Sequence, residues 1–263
     1  MPNDKPDNLD SKFDQLITHL NADQADALTL ELAAAYTAGK HSVRETRLSS
    51  VQKQAIKRLS AEHFGYISEF NAHLGEQLKD KARGLLGQNK GYADIRKEIL
   101  DYTDAIFDGS EQVVIDRTGQ TRKVIEVTKT GKLKEVDKVI TKPYVTNTQA
   151  YADMLSQTAI HAAFEEGRAS EYQRMGFKKW RYISVCDERS RPDHCALTGR
   201  VFEYGTTESD MALQLMHSPN CRCRSVAYFN DPSLDTRESF YDEQKKNAGL
   251  RYDDDKQKWV FGD

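Results

Sequence analysis

All four cysteines of the chain, Cys186, Cys195, Cys221 and Cys223, fall inside one 38-residue window that also holds His194, His217 and a dense set of Arg and Asp residues. Outside the window there is no cysteine at all, so local chemistry has to be sought there. The window reads Cys186-Asp187-Glu188-Arg189-Ser190-Arg191-Pro192-Asp193-His194-Cys195, reaches Gly199, and closes on His217-Ser218-Pro219-Asn220-Cys221-Arg222-Cys223-Arg224.

The rest of the chain limits what this window can be part of. Hydrophobic residues are 38% and charged residues 30% of 263, and the formal net charge is -3, so there is no global electrostatic footprint for coating nucleic acid. No apolar run is long enough to span a membrane, and Met1-Pro2-Asn3-Asp4-Lys5-Pro6-Asp7 is polar where a signal peptide needs an apolar stretch. Both features predict a protein that stays in a cytoplasm. In that reducing compartment clustered cysteines are expected as thiols or metal thiolates rather than disulfides.

Periodicity predicts an α+β fold: an elongated helical N-terminal region over 1–110, an inserted small antiparallel β meander over 111–145, a small α+β module over 146–230 and a charged C-terminal tail over 231–263. The stripe Phe13, Leu16, Ile17, Leu20 and the segment from Asn21 through Ala25, Leu28, Leu32 and Tyr36 to Gly39 read as two short amphipathic helices. A three-to-four-residue rhythm from Val51 to Leu85 predicts one long helix, and Tyr92 to Ala105 predicts another. The β-branched runs Val113-Val114-Ile115, Val124–Val127 and Val136–Ile140, separated by Thr118-Gly119 and Thr130-Gly131, predict the meander. From 111 to 142 eight basic residues stand against five acidic ones. That excess is read first as protection of exposed strand edges and second as a phosphate contact.

Thr146 and Gln149 predict a capping box opening a helix that runs to about Arg174. Strands are predicted at Phe177–Val185, Arg200–Glu203 and Arg224–Phe229, with a short helix over Thr207–Met216. After Asp231-Pro232 the polar tail is expected to order only on docking to a neighbour.

Asp187-x-Arg189, His194 five residues on, Gly199 five further, and the ending Pro219-Asn220-Cys221-Arg222-Cys223 resemble the phage Mu F-like head morphogenesis family, minor head proteins of tailed phages. The resemblance runs from about Tyr151 to Tyr228 and includes Trp180. It implies a structural motif of Asp187, Arg189, His194, Gly199, Asn220, Cys221, Arg222 and Cys223, and a non-enzymatic protein of the virion, inside the head near the portal, present in the host cytoplasm during assembly. It further implies action in head morphogenesis and DNA packaging or ejection. The implied partners are the portal protein, the major capsid or scaffolding protein and phage DNA, with no membrane at the assembly stage.

Three readings of the window compete on chemistry. The leading one is a metal-free clip in which Asp187 holds Arg189 or Arg222 through a carboxylate-guanidinium pair and the cysteines are small buried hydrophobes. Next is a structural zinc held by Cys186, Cys195, Cys221 and Cys223, with His194 or His217 as substitutes; the ligand types fit, while the spacing departs from paired Cys-x-x-Cys knuckles. The third is a nucleic-acid-processing enzyme or toxin-like effector with Cys195 or Cys221 as nucleophile and His194 or His217 as base.

Overall fold

The computed structural model describes residues 50–86, 88, 92–229 and 238–262, together with scattered helical residues between 14 and 38. Of the features read from sequence, Phe13, Leu16, Leu20, Leu28, the stop at Gly39 and the Asp231-Pro232 boundary lie outside the described residues.

The fold is α+β. The apolar rhythm does produce one long helix, α1 (Ser50–Leu86), followed by α2 (Tyr92–Phe107). Among the described residues no helix is long and apolar enough to cross a membrane. The chain divides into two compact units. The first gathers Lys57–Gln120 and Val139–Ser156 with described residues of the stretch up to Leu32; the second gathers described residues of Ala33–Ile56, Thr121–Lys138 and Gln157–Asp263.

The strand pairing in the middle of the chain differs from a meander. β1 (Val113–Ile115) pairs antiparallel with β4 (Tyr144–Thr146), and β2 (Thr121–Val127) pairs with β3 (Leu133–Val139). The reason lies in which residues have a core to enter. Val113 and Ile115 are buried with Phe70, Leu74, Leu78, Ile106 and Tyr151 in the first unit. Val127 and Leu133, at the tip of the β2–β3 hairpin, are buried in the core of the second. The tip turns at Gly131, whose positive φ of 79° suits a residue without Cβ, and Thr128 N–H closes it on the Lys132 carbonyl at 2.8 Å.

The helix α3 (Thr148–Arg174) starts two residues later than the capping box predicts, because Thr146 is committed to β4. Asn147 caps instead, its Oδ1 accepting from Ala150 N–H at 2.7 Å.

In the second unit β5 (Lys179–Ile183) is the central strand between β6 (Val201–Glu203) and β7 (Arg224–Ala227), antiparallel to both. Trp180 anchors the core from β5: it is fully buried, stacks on Phe202 with centroids 5.0 Å apart, and donates its indole N–H to Ser209 Oγ at 2.8 Å. Ser209 belongs to α5 of the helices here denoted α4 (Pro192–Ala196) and α5 (Thr207–Met216), and Thr206 caps the latter by accepting from Ser209 N–H.

The segment read as an undocked tail is folded onto the second unit. It forms α6 (Glu238–Asn247) and a hairpin of β8 (Leu250–Asp253) and β9 (Lys258–Phe261). Tyr241 is buried, and Trp259 donates to the Thr128 carbonyl at 3.1 Å. The expectation of docking-dependent order gives way because aromatics in the charged segment pack: Tyr241 is buried, and Trp259 lies against the core of the second unit with Tyr252 edge-on to its ring.

Candidate functional site: a polar clip over a thiol-imidazole cluster

The site is built where the end of β5, the short helix α4 and the stretch before β7 converge. Pro192 opens α4 with its φ already set, and the helix delivers His194 and Cys195 into the interior, 2% and 0% exposed. The approach to β7 turns at Asn220, a positive-φ residue (55°), a conformation that asparagine tolerates better than most side chains. Over the next three residues burial alternates, so Cys221 and Cys223 share one side and Arg222 takes the other. Both thiols are buried, while Arg222 is exposed.

On the outer side Arg222 grips Asp187 with both nitrogens, Nη1 to Oδ2 at 2.9 Å and Nη2 to Oδ1. Asp187 Oδ1 also accepts from Arg189 N–H at 3.1 Å and from Ser190 Oγ at 2.9 Å, and Arg191 donates to the Pro219 carbonyl at 2.8 Å. Of the two arginines weighed as partners of Asp187, Arg222 makes the side-chain pair and Arg189 contributes its backbone N–H. The Arg222 guanidinium holds the Asp187 carboxyl well below its ordinary value of 3.8, against desolvation, with the Ser190 hydroxyl adding a lesser pull.

A depressed folded-state pKa fixes the sign of the acid response. Asp187 contributes its stability in full above its unfolded-state value and loses it as pH falls toward the lower folded value. Thermal melts of the wild type and Asp187→Asn between about pH 5 and about pH 2 are expected to converge as the pH drops. A wild-type advantage that persists unchanged at the acid end would rule out this clamp.

On the inner side His194 Nδ1 lies 3.1 Å from the Tyr182 hydroxyl, 3.3 Å from Cys223 Sγ and 3.5 Å from Cys221 Sγ. Cys223 N–H also points at Cys221 Sγ, 3.4 Å away. The hydrogen bond between the two sulfurs drives their proton affinities apart. Cys221 goes up, with burial adding to it, and Cys223 goes down, with the His194 imidazole adding to it against burial. Tyr182 is pushed up by burial, then by the neighbouring thiols.

The four cysteines do not form one ligand set. Cys186 and Cys195 are joined in a disulfide, because the turn after β5 and α4 bring their Cα atoms to 5.0 Å, while Cys221 and Cys223 carry free thiols. The expectation of four thiols therefore gives way to a disulfide beside a two-thiol cluster. Among the described residues His194, Cys221 and Cys223 form the one group of potential metal ligands, all three atoms within 4.8 Å of one another. His217 is positioned instead as the C-cap of α5.

Sequence reasoning missed three participants. Tyr182 was read only as a strand residue. Glu165 of α3 is 2% exposed; its Oε2 accepts from Ser225 N–H at 2.8 Å and from Ser225 Oγ at 2.7 Å, and its Oε1 from Arg168 at 3.0 Å, fastening β7 to the helix. Tyr241 of α6 covers Gly199. A glutamate on the Ala-rich face of α3 was the available signal for the second.

The fold and the site define an α+β protein whose C-terminal unit is closed by a carboxylate-guanidinium clip over a buried cluster of thiols and imidazole. The family described as Phage Mu protein F like protein matches residues 93–226, and the chain belongs to that family. Membership makes it a protein of phage head morphogenesis. No curated protein and no solved structure is significantly similar to it.

Proposed function

We propose that the protein is a non-enzymatic minor head protein that associates with the portal inside the procapsid and acts in head assembly and in DNA packaging or ejection. The observation that carries this reading is that the family match, residues 93–226, ends on β7 and so takes in both halves of the clip, Asp187 and Arg222. What the motif residues do supports it. Asp187, Arg189, Ser190, Arg191 and Arg222 satisfy one another or the local backbone, which rigidifies a docking platform. The enzymatic reading is weakened at both nucleophiles it names: Cys195 is held in the disulfide with Cys186, and Cys221 is 8% exposed beside a His194 that is 2% exposed.

Portal protein is the first partner of this reading, and the major capsid or scaffolding protein the second. Direct contact of DNA with the 111–142 segment is less favoured, because five of its eight basic side chains are already in ion pairs: Arg117 with Glu69, Lys123 with Glu135, Lys129 with Asp254, and Lys134 and Lys138 with Glu126. Co-expression with the portal protein of the same phage tests the proposal. The expected outcome is co-purification in a fixed ratio and recovery of the chain from procapsids. Recovery of free chain alone, with procapsids lacking it, would refute the reading.

A further inference from the structure

One nitrogen in the second unit is surrounded beyond its hydrogen-bonding capacity. A single imidazole nitrogen either donates one hydrogen bond or accepts one. His194 Nδ1 nevertheless has three heteroatoms around it, the Tyr182 hydroxyl at 3.1 Å, Cys223 Sγ at 3.3 Å and Cys221 Sγ at 3.5 Å. The residues are buried, and Cys221 and Cys223 are thiols free of the disulfide. Several lone pairs converging on one point suit a cation, which can accept from all of them at once.

We propose that His194, Cys221 and Cys223 bind one zinc ion through Nδ1 and the two sulfurs, with the Tyr182 side of the cluster completing a shell of two sulfurs and two nitrogen or oxygen atoms. The separations are close to those a zinc shell needs. Tetrahedral zinc with ordinary bond lengths separates a nitrogen and a sulfur ligand by about 3.6 Å, and two sulfurs by about 3.8 Å. The observed nitrogen-sulfur separations are 3.3 and 3.5 Å, and all three atoms lie within 4.8 Å of one another. Two thiolates and an imidazole are a donor set that zinc prefers over magnesium or calcium, which take oxygen ligands. The disulfide sulfurs of Cys186 and Cys195 are not thiolates and stand outside the set.

Zinc at this point ties α4 to the stretch leading into β7 from the inner side, as Arg222 and Asp187 tie them from the outer side. Binding to the folded state alone would raise the melting temperature. The inference concerns the metal content of the isolated chain and stands apart from the portal reading, so either can fail without the other.

The full chain, purified under reducing conditions, equilibrated with zinc and freed of excess by gel filtration, is assayed by elemental analysis and zinc-edge X-ray absorption. About one zinc per chain is expected, with two sulfur scatterers. Content and sulfur count should persist in the Cys186→Ser/Cys195→Ser double variant and be lost in Cys221→Ser or Cys223→Ser, and chelator should lower the melting temperature of the wild type. Folded wild-type protein that retains no stoichiometric zinc, or a shell of four sulfurs, overturns the assignment. Should the Cys221 and Cys223 variants fail to fold, the wild-type stoichiometry and sulfur count decide by themselves.

Discussion

Replacing Gly199 by alanine should destabilise the second unit by about 2 to 5 kcal/mol, from two separable causes. Its φ of +84° lies in the left-handed region, where a side chain adds about 1 to 2 kcal/mol. A Cβ at this position would also sit 2.7 Å from Cγ and Cδ2 and 2.8 Å from Cβ of Tyr241, closer than van der Waals contact allows, and overpacking of this kind costs about 1 to 3 kcal/mol. The backbone there is held on the other side, since Gly199 N–H donates to the Tyr182 carbonyl at 2.9 Å. Tyr241 is itself confined, with the Arg181 guanidinium 5.3 Å from its ring centroid, so α6 has to shift as a body to make room. Urea denaturation of Gly199→Ala, Tyr241→Ala and the double variant separates the two causes. The double variant should recover the steric part and keep the backbone part. Additive losses would mean that the two residues do not press on each other.

The second large effect is expected at Glu165. Truncation to alanine leaves three groups without their acceptor: the buried N–H and hydroxyl of Ser225 and the guanidinium of Arg168. Breaking a buried charged pair by removing one partner costs about 3 to 5 kcal/mol, chiefly because the remaining groups stay desolvated. Glu165→Gln keeps an oxygen for Ser225 while turning its amide toward Arg168, and a smaller loss of about 1 to 3 kcal/mol is expected. The measurement is again denaturant unfolding, followed by Trp fluorescence, since Trp180 on β5 lies in the sheet that β7 completes. Equal losses in the two variants would show that the charge, not the acceptor, is what β7 requires.

The magnitudes differ between the two sides of the clip for one physical reason. Asp187 and Arg222 are each 37% exposed at the side chain, so water screens their attraction and their pairing acts mainly on geometry and on the acid limb of stability. Glu165 is withdrawn from water, and the Ser225 groups that donate to it are buried with it. Of the motif residues, the half-exposed pair Asp187 and Arg222 is therefore not expected to carry most of the stability; the motif glycine Gly199 under an aromatic ring, and Glu165 inside a helix, carry more.

How far the sequence reached can be followed element by element. Helical rhythm from Val51 to Leu85 requires a long helix whatever surrounds it, because apolar residues every third or fourth position share a face only in that conformation, and α1 spans Ser50–Leu86. Glycine and threonine turns delimited the strands of 113–139 within a few residues. Their pairing was not legible: β1 chose β4 over β2 because Val113 and Ile115 share one core while Val127 and Leu133 share another, a matter of which distant side chains offer a surface. The same limit applied to the tail, where local charge density spoke for disorder and the partners of Tyr241 and Trp259 lay at Gly199 and Thr128.

At the site, the sequence alone gathered Cys221, Arg222 and Cys223 with Asp187 and His194 in one window as a candidate clip. The order Asp187, Arg189, His194, Gly199 and Asn220-Cys221-Arg222-Cys223 carried the resemblance to the family whose match covers residues 93–226. Only the tertiary structure decided which cysteines pair with each other, which arginine Asp187 holds, and that a strand tyrosine completes the surroundings of His194. Those outcomes depend on distances between segments from 9 to 35 residues apart. Packing of whole elements sets such distances, and no local pattern of residues encodes them.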